Sequence, residues 1–189
     1  MAQKTATFVD EMTSAARGCW ALLTGNRQAA SYFDFSQRGL VSSFIAVIAG
    51  IVIAAYGPML LGFAQSPGTA TQVVLGNIGA FAIQALVAYL VLRQISRLDG
   101  FIPYLVASNW VTLLTAIALF IAPLLGGLGV LLLVAILVSM LVIFVNIGRL
   151  IVTLTPMQIA TLCVAQIAAV LIGLLILSMI IVAGSPLPA

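Results

Sequence analysis

The sequence predicts an all-α integral membrane protein, a bundle of five transmembrane helices with an amino-terminal amphipathic helix at the interface. Its composition is the first reason, because 63% of the 189 residues are hydrophobic and only 6% are charged, against about 25% charged in soluble domains. The second is that five long apolar stretches contain no charged residue. The third is that the basic residues are confined to alternate connections between these stretches.

Each apolar stretch is long enough for a bilayer core of about 30 Å, which requires roughly 20 helical residues. The predicted spans are 40–63, 73–92, 101–125, 128–147 and 157–183. They form one membrane domain, 40–183, between an amino-terminal segment, 1–39, and a short tail, 184–189.

Helix breakers and capping residues support the predicted boundaries. Pro123 and the glycines at 126, 127 and 129 predict a tight turn at membrane level between the third and fourth spans. Thr155, Pro156 and Gln158 form an N-cap, a first-turn proline and a capping-box partner. The fifth span is therefore predicted to begin here.

The basic residues predict the orientation of the chain. They precede the first span, separate the second from the third, and separate the fourth from the fifth: Lys4, Arg17, Arg27 and Arg38, then Arg93 and Arg97, then Arg149. The other connections and the tail are uncharged. By the positive-inside rule, the amino terminus is cytoplasmic and the carboxyl terminus lies outside. The compact loops favour a bacterial inner membrane.

The segment before the first span has apolar residues at helical spacing, which predicts an amphipathic helix: Phe8, Met12, Ala15, Cys19, Trp20 and Leu23. We expect it to lie on the cytoplasmic membrane surface, with Trp20 as an anchor. Arg17, Arg27 and Arg38 then attract anionic lipid at about 1 kcal/mol each. The alternative is that the helix packs on the protein's own loops.

Small residues at four-residue spacing predict two helix-packing faces, because they let neighbouring backbones approach closely in lipid. The first span carries Ser42, Ala46, Gly50 and Ala54, and the fifth carries Thr161, Ala165, Ala169 and Gly173. Packing within the bundle is favoured over a dimer interface for both faces.

Five polar side chains fall inside the predicted spans: Asn77, Gln84, Asn109, Ser139 and Asn146. In a bilayer core such groups need partners, and we expect interhelical hydrogen bonds among them, worth about 0.6 to 2 kcal/mol each. The alternative is that they line a polar path for a solute.

No residue pattern indicates catalysis, a cofactor or a metal. The chain has no histidine, and no ionisable relay or coupling group lies within the predicted spans. Cys19 and Cys163 are far apart and are expected to be small hydrophobic side chains. The basic residues are too few and scattered for a nucleic-acid partner. We therefore predict a non-enzymatic protein that is embedded in the lipid bilayer and binds no cofactor, metal or nucleic acid.

The stretch CWALLTGNRQAASYFDFSQRGLVSSF, residues 19–44, joined to five spans and a cytoplasmic amino terminus, resembles the Yip1-like family of five-span membrane proteins. Tyr56-Gly57-Pro58 lies late in the first span and does not contribute to the resemblance. The resemblance implies a non-enzymatic role in membrane organisation or trafficking, with partners bound on the cytoplasmic side. It transfers no site residues.

Two functions follow as hypotheses. The first is a scaffold, accessory or membrane-organising subunit that forms a homo-oligomer or joins a larger membrane complex. The second is a passive transporter or channel for a small neutral or lipid-like solute, with the five polar side chains along a common path.

Overall fold

The computed structural model describes residues 7–183, with side chains described for 7–173 and for Leu175. Within that range the chain is all α-helical and contains no strand. Its six long helices are α1 (Phe8–Leu23), α2 (Gln37–Leu60), α3 (Thr69–Gln94), α4 (Phe101–Ile121), α5 (Gly127–Asn146) and α6 (Pro156–Ala183). The predicted tail, 184–189, and Lys4 lie outside the described residues.

Helices α2 to α6 are long and apolar enough to cross a membrane, and the predicted fold class is confirmed. Short turns extend some of these spans, which in the described residues cover 37–60, 69–94, 98–125, 127–151 and 156–173. The first begins three residues earlier than predicted, because Ser36 accepts a hydrogen bond from the backbone N–H of Gly39 and caps α2. The chain is therefore an all-α, polytopic integral membrane protein.

The capping box predicted at the start of the fifth span is confirmed. The backbone N–H of Thr155 donates to Oε1 of Gln158 over 2.9 Å, and the N–H of Gln158 donates to Oγ1 of Thr155 over 3.4 Å. The two side chains satisfy amides at the start of α6, which begins at Pro156.

The centre of the bundle is the contact between α2 and α4, and α3 packs against both α2 and α6. Two glycines of α2 permit its close approach to α4. A Cβ atom on Gly50 would lie 3.3 Å from Cα of Leu113, and one on Gly57 would lie 2.7 Å from Cδ2 of Phe120. Most side chains of α3 and α5 stay exposed on the bundle, which fits contact with lipid.

Helix α1 packs on the bundle, against α4 and α5. Its buried face carries Ala15, Cys19 and Leu22, whereas the side chain of Trp20 is 67% exposed. The alternative that α1 packs on the protein is therefore supported for this face, and contact of Trp20 with the membrane surface stays a prediction. The protein covers one part of this face, because Leu22 and Cys19 enter the hydrophobic core, and Trp20 stays on the outside.

Candidate functional site

The candidate site is the end of the bundle at which α2, α4 and α6 begin and α3 and α5 end. We call it the charged end, because the arginines and carboxylates of the described residues lie in α1, in the first or last turn of these helices, or in the segments that connect them. The connection between α2 and α3 and the turn between α4 and α5 form the opposite, uncharged end.

Three side-chain contacts hold α1 and the segment that follows it at the charged end. Asn146, at the end of α5, is buried and reaches a backbone carbonyl near the end of α1. The contacts are Asn146 Nδ2 donating to Leu22 O over 2.8 Å, an ion pair of Arg38 Nη2 with Glu11 Oε1 at 3.3 Å, and Ser14 Oγ donating to Tyr32 O over 2.7 Å. Together they connect α1 to the start of α2 and to the end of α5.

Arg97 joins the two other connections at this end. Its guanidinium donates from Nη1 to the carbonyl of Thr153 over 2.9 Å and from Nη2 to Oγ1 of Thr153 over 2.8 Å. It also donates to the carbonyl of Val152 and forms an ion pair with Asp99 at 3.4 Å. The backbones approach so closely that a Cβ on Gly100 would lie 2.2 Å from Cγ1 of Val152.

The joined connections both contain strained backbone. Ser96 has φ of 56° and Thr153 has φ of 57°, in the left-handed region that costs a non-glycine residue about 1–2 kcal/mol. A π-helical turn, Ile147–Ile151, precedes Thr153. The charge-assisted bonds of Arg97 to this segment offset that strain, because a hydrogen bond to a charged group contributes about 1.5–3 kcal/mol.

Two polar contacts lie deeper, between helices. Asn109 of α4 is 1% exposed and donates from Nδ2 to Oγ of Ser43 over 3.0 Å. Gln166 of α6 donates from Nε2 to the backbone carbonyl of Gln84 over 2.9 Å and to the hydroxyl of Tyr104 over 3.3 Å. These bonds connect α4 to α2, and α6 to α3 and α4.

The prediction that the five polar side chains bond one another is wrong. Asn109 and Asn146 are buried but use the separate partners given above. Asn77 donates over 2.8 Å to the carbonyl of Val73 on its own helix. Gln84 is exposed and contributes only its backbone carbonyl to the contact with Gln166, and Ser139 is half-buried. Asn109 and Asn146 do make interhelical hydrogen bonds, but to Ser43 Oγ and to the carbonyl of Leu22 and not to the other predicted residues. The five residues do not line one path.

The predicted packing faces are rotated relative to the observed contacts. On α2, Ala46 and Gly50 are buried, Ser42 is half-buried and Ala54 is exposed. On α6, Ala169 is buried, Ala165 and Gly173 are half-buried and Thr161 is exposed. A Cβ on Gly173 would lie 3.5 Å from Ile83 of α3.

Sequence reasoning missed Ser43, Tyr104, Gln166 and the role of Arg97. Ser43 stands next to the predicted Ser42, and one residue turns a helix by about 100°. Gln166 could have been identified from the sequence, because it is an amide side chain within the predicted fifth span. For Arg97 no sequence signal existed, because its partners lie 55 and 56 residues further along the chain.

In the part of the chain that the structure describes, no cluster of three or more His, Cys, Asp or Glu residues is arranged to hold a metal ion. The fold and the charged end define a polytopic helical membrane protein with an amino-terminal helix docked on the bundle. No protein-family model, curated protein or solved structure matches the chain.

Replacing Asn146 with Ala should release α1, and Cys19 reports the release. Burial raises the pKa of the Cys19 thiol to about 12, so a docked Cys19 is both shielded and protonated. The lost bond leaves a buried carbonyl unpaired at about 1–3 kcal/mol. We expect N-ethylmaleimide to label Cys19 about tenfold faster at pH 7, measured in a Cys163→Ala background.

The matched control is Asn77→Ala, which removes an amide that bonds only within its own helix. It should leave the rate at Cys19 unchanged. Equal rates in the two variants would show that Asn146 does not hold α1.

Replacing Arg97 with Gln should loosen the connection between α5 and α6. We expect hydrogen exchange to accelerate at the amides of Val152 and Leu154, whose bonds close this turn, by the equivalent of about 1.5–3 kcal/mol. In Arg97→Lys the exchange rates of these amides should lie between those of Arg97→Gln and of the native chain, because lysine keeps the charge but lacks the planar fork of donors. The control is Arg93→Gln, at an exposed position on α3. Unchanged exchange in Arg97→Gln contradicts the assignment.

Proposed function

We propose that this protein is a non-enzymatic scaffold, accessory or membrane-organising subunit of a bacterial cytoplasmic membrane, with its amino terminus in the cytoplasm. The protein acts as a homo-oligomer or within a larger membrane complex. Its partners bind at the charged end, on the surface formed by α1 and the neighbouring connections. The resemblance to the Yip1-like family supports the same class of role.

The observation that carries the proposal is that α1 is docked and yet keeps one face open. Contacts of Asn146 and Arg38 fix the helix on the bundle, and Ser14 of α1 donates to the carbonyl of Tyr32 in the segment that follows the helix. Its other face, with Thr13, Arg17, Trp20 and Thr24, remains exposed. A helix held rigid in this way presents a preformed surface, and preformed surfaces bind with a smaller loss of conformational entropy.

Passive transport has weaker support from the geometry. The five polar residues that would line its path are separated among different contacts, and Asn109 and Asn146 are already hydrogen-bonded in the interior. Selectivity in a pore depends on the hydrogen-bonding atoms that line it, and these two amides are already committed to other partners. The hydrogen bonds of these amides support a structural role, in which they connect neighbouring helices.

The proposal is tested with a photoreactive amino acid placed at exposed positions of the full-length chain in native membranes. Thr13 samples the open face of α1, and Ser66 samples the uncharged end. We expect a specific, stoichiometric protein crosslink at position 13 and not at 66. Native mass spectrometry in mild detergent should show the same assembly.

Crosslinks at position 66 alone would show that partners bind at the uncharged end, which contradicts the proposed surface on α1. A strictly monomeric particle with no protein crosslink from either position would contradict the proposed function altogether.

A further inference from the structure

A groove of about 360 Å³ lies between α1, α4 and α5, and we call it the α1 groove. Its α1 wall consists of Ala16, Cys19, Trp20 and Leu23, whose spacing of three or four residues places them on one side of the helix. Its other walls are mainly apolar side chains of α4 and α5. The groove is open along its side, so in the membrane it faces the lipid.

The groove has the length of a single acyl chain in one leaflet. Along α5 it is lined from Leu132 to Ile143, and this separation of 11 residues corresponds to about 16 Å. The hydrocarbon core of a bilayer is about 30 Å thick, so the acyl chains of one leaflet span about 15 Å, close to the length of the groove. The α1 end of the groove is at the charged end, where Leu22 of α1 contacts Asn146.

Three basic residues belong to the segments that form the charged end next to the groove. Arg17 follows Ala16 on α1, Arg27 follows α1 in the chain, and Arg149 lies in the π turn after α5. All three are exposed, and the π turn contacts the short segment Ala29–Tyr32 that comes just after Arg27. None of the groove-lining residues is acidic.

The acidic residues of α1 are placed away from this mouth. Glu11 pairs with Arg38 at the start of α2. Asp10 caps the first turn of α1, where hydrogen bonds from Thr7 lower the pKa of its carboxyl. Asp10 is seven residues from Arg17, about 10 Å along the helix. Arg17 is therefore the only charged residue within the stretch of α1 that lines the groove, Ala16 to Leu23.

We infer that the α1 groove binds an anionic phospholipid. One acyl chain fills the groove, and the phosphate group is held by Arg17, Arg27 and Arg149 through charge-assisted hydrogen bonds. Trp20, 67% exposed beside the groove, lies at the headgroup level, where tryptophan is enriched in membrane proteins. The inference rests on the proposed cytoplasmic placement of α1, because that leaflet is rich in anionic lipid.

The two tryptophans of the chain provide the test. Trp20 lines the groove, whereas Trp110 is buried, with 3% exposure. The full-length Trp110→Phe chain is reconstituted into nanodiscs of phosphatidylcholine that contain increasing fractions of a brominated phospholipid. Should that variant fold poorly, the difference in quenching between the native chain and Trp20→Phe gives the same signal.

We expect brominated phosphatidylglycerol to quench Trp20 at a several-fold lower mole fraction than brominated phosphatidylcholine. The double variant Arg17→Gln, Arg149→Gln should remove this preference. Arg93→Gln, which changes an exposed arginine at the end of α3, is the matched control and should keep it. High salt should weaken the preference without removing quenching by neutral lipid.

A second pair of variants tests the acyl chain. Ala135 lines the groove, and Leu137 lies on the same helix, 62% exposed and outside the lining. Ala135→Phe should fill the groove and reduce quenching by both lipids, and Leu137→Phe should not.

Equal quenching by the two lipids in the native groove would overturn the inference, as would a preference that survives loss of Arg17 and Arg149. If Arg93→Gln lost the preference for phosphatidylglycerol to the same extent, the preference would reflect general attraction of anionic lipid to basic residues and not a specific site. Protein crosslinks at Thr13 are scored separately, so lost lipid preference with retained crosslinks contradicts this inference and leaves the proposed function intact.

Discussion

Hydrocarbon does not solvate polar groups, and this constraint orders the whole structure. Backbone amides are satisfied inside five long helices, and the charged side chains of the described residues are gathered at one end of the bundle. Several polar side chains in the interior bond backbone carbonyls or one another, whereas Ser108 Oγ and Gln166 Oε1 are buried without a hydrogen-bond partner among the described residues. Asn146 donates to the carbonyl of Leu22, and Asn109 donates to Ser43. Each such bond fixes one helix against another and leaves the bonded donor and acceptor satisfied in the apolar interior.

The charged end is the part of the molecule where water allows other contacts, and the distinctive features are concentrated there. Arg97 joins two connections that contain left-handed residues at Ser96 and Thr153. The bonds to α1 fix a helix whose buried face belongs to the core and whose Trp20 face stays open. The two sides of α1 therefore differ, because one belongs to the core and the other stays exposed.

Much of the fold could be predicted, because lipid imposes a simple pattern on the sequence. The five spans, the helix before them and the capping box at Thr155 follow from local composition. The contacts of the candidate site depend on rotation and on distant segments, which local patterns do not specify. Ser42 was predicted for the packing face of α2, but its neighbour Ser43 is the buried residue there and accepts from Asn109. Arg97 reaches residues more than 50 positions away. An amphipathic pattern also cannot distinguish a face that meets lipid from one that meets the protein, as Leu22 and Trp20 of α1 show.

The central claim is that the chain crosses the membrane five times with its ionic groups on one side. The most direct measurement is labelling of single cysteines by an impermeant maleimide in intact cells, in a Cys19→Ala, Cys163→Ala background. Ser66 and Gln94 are exposed residues at opposite ends of α3. We expect Ser66→Cys to be labelled from outside and Gln94→Cys to be labelled only after the membrane is permeabilised. Labelling of both positions from outside, or of Gln94→Cys alone, would contradict the central claim.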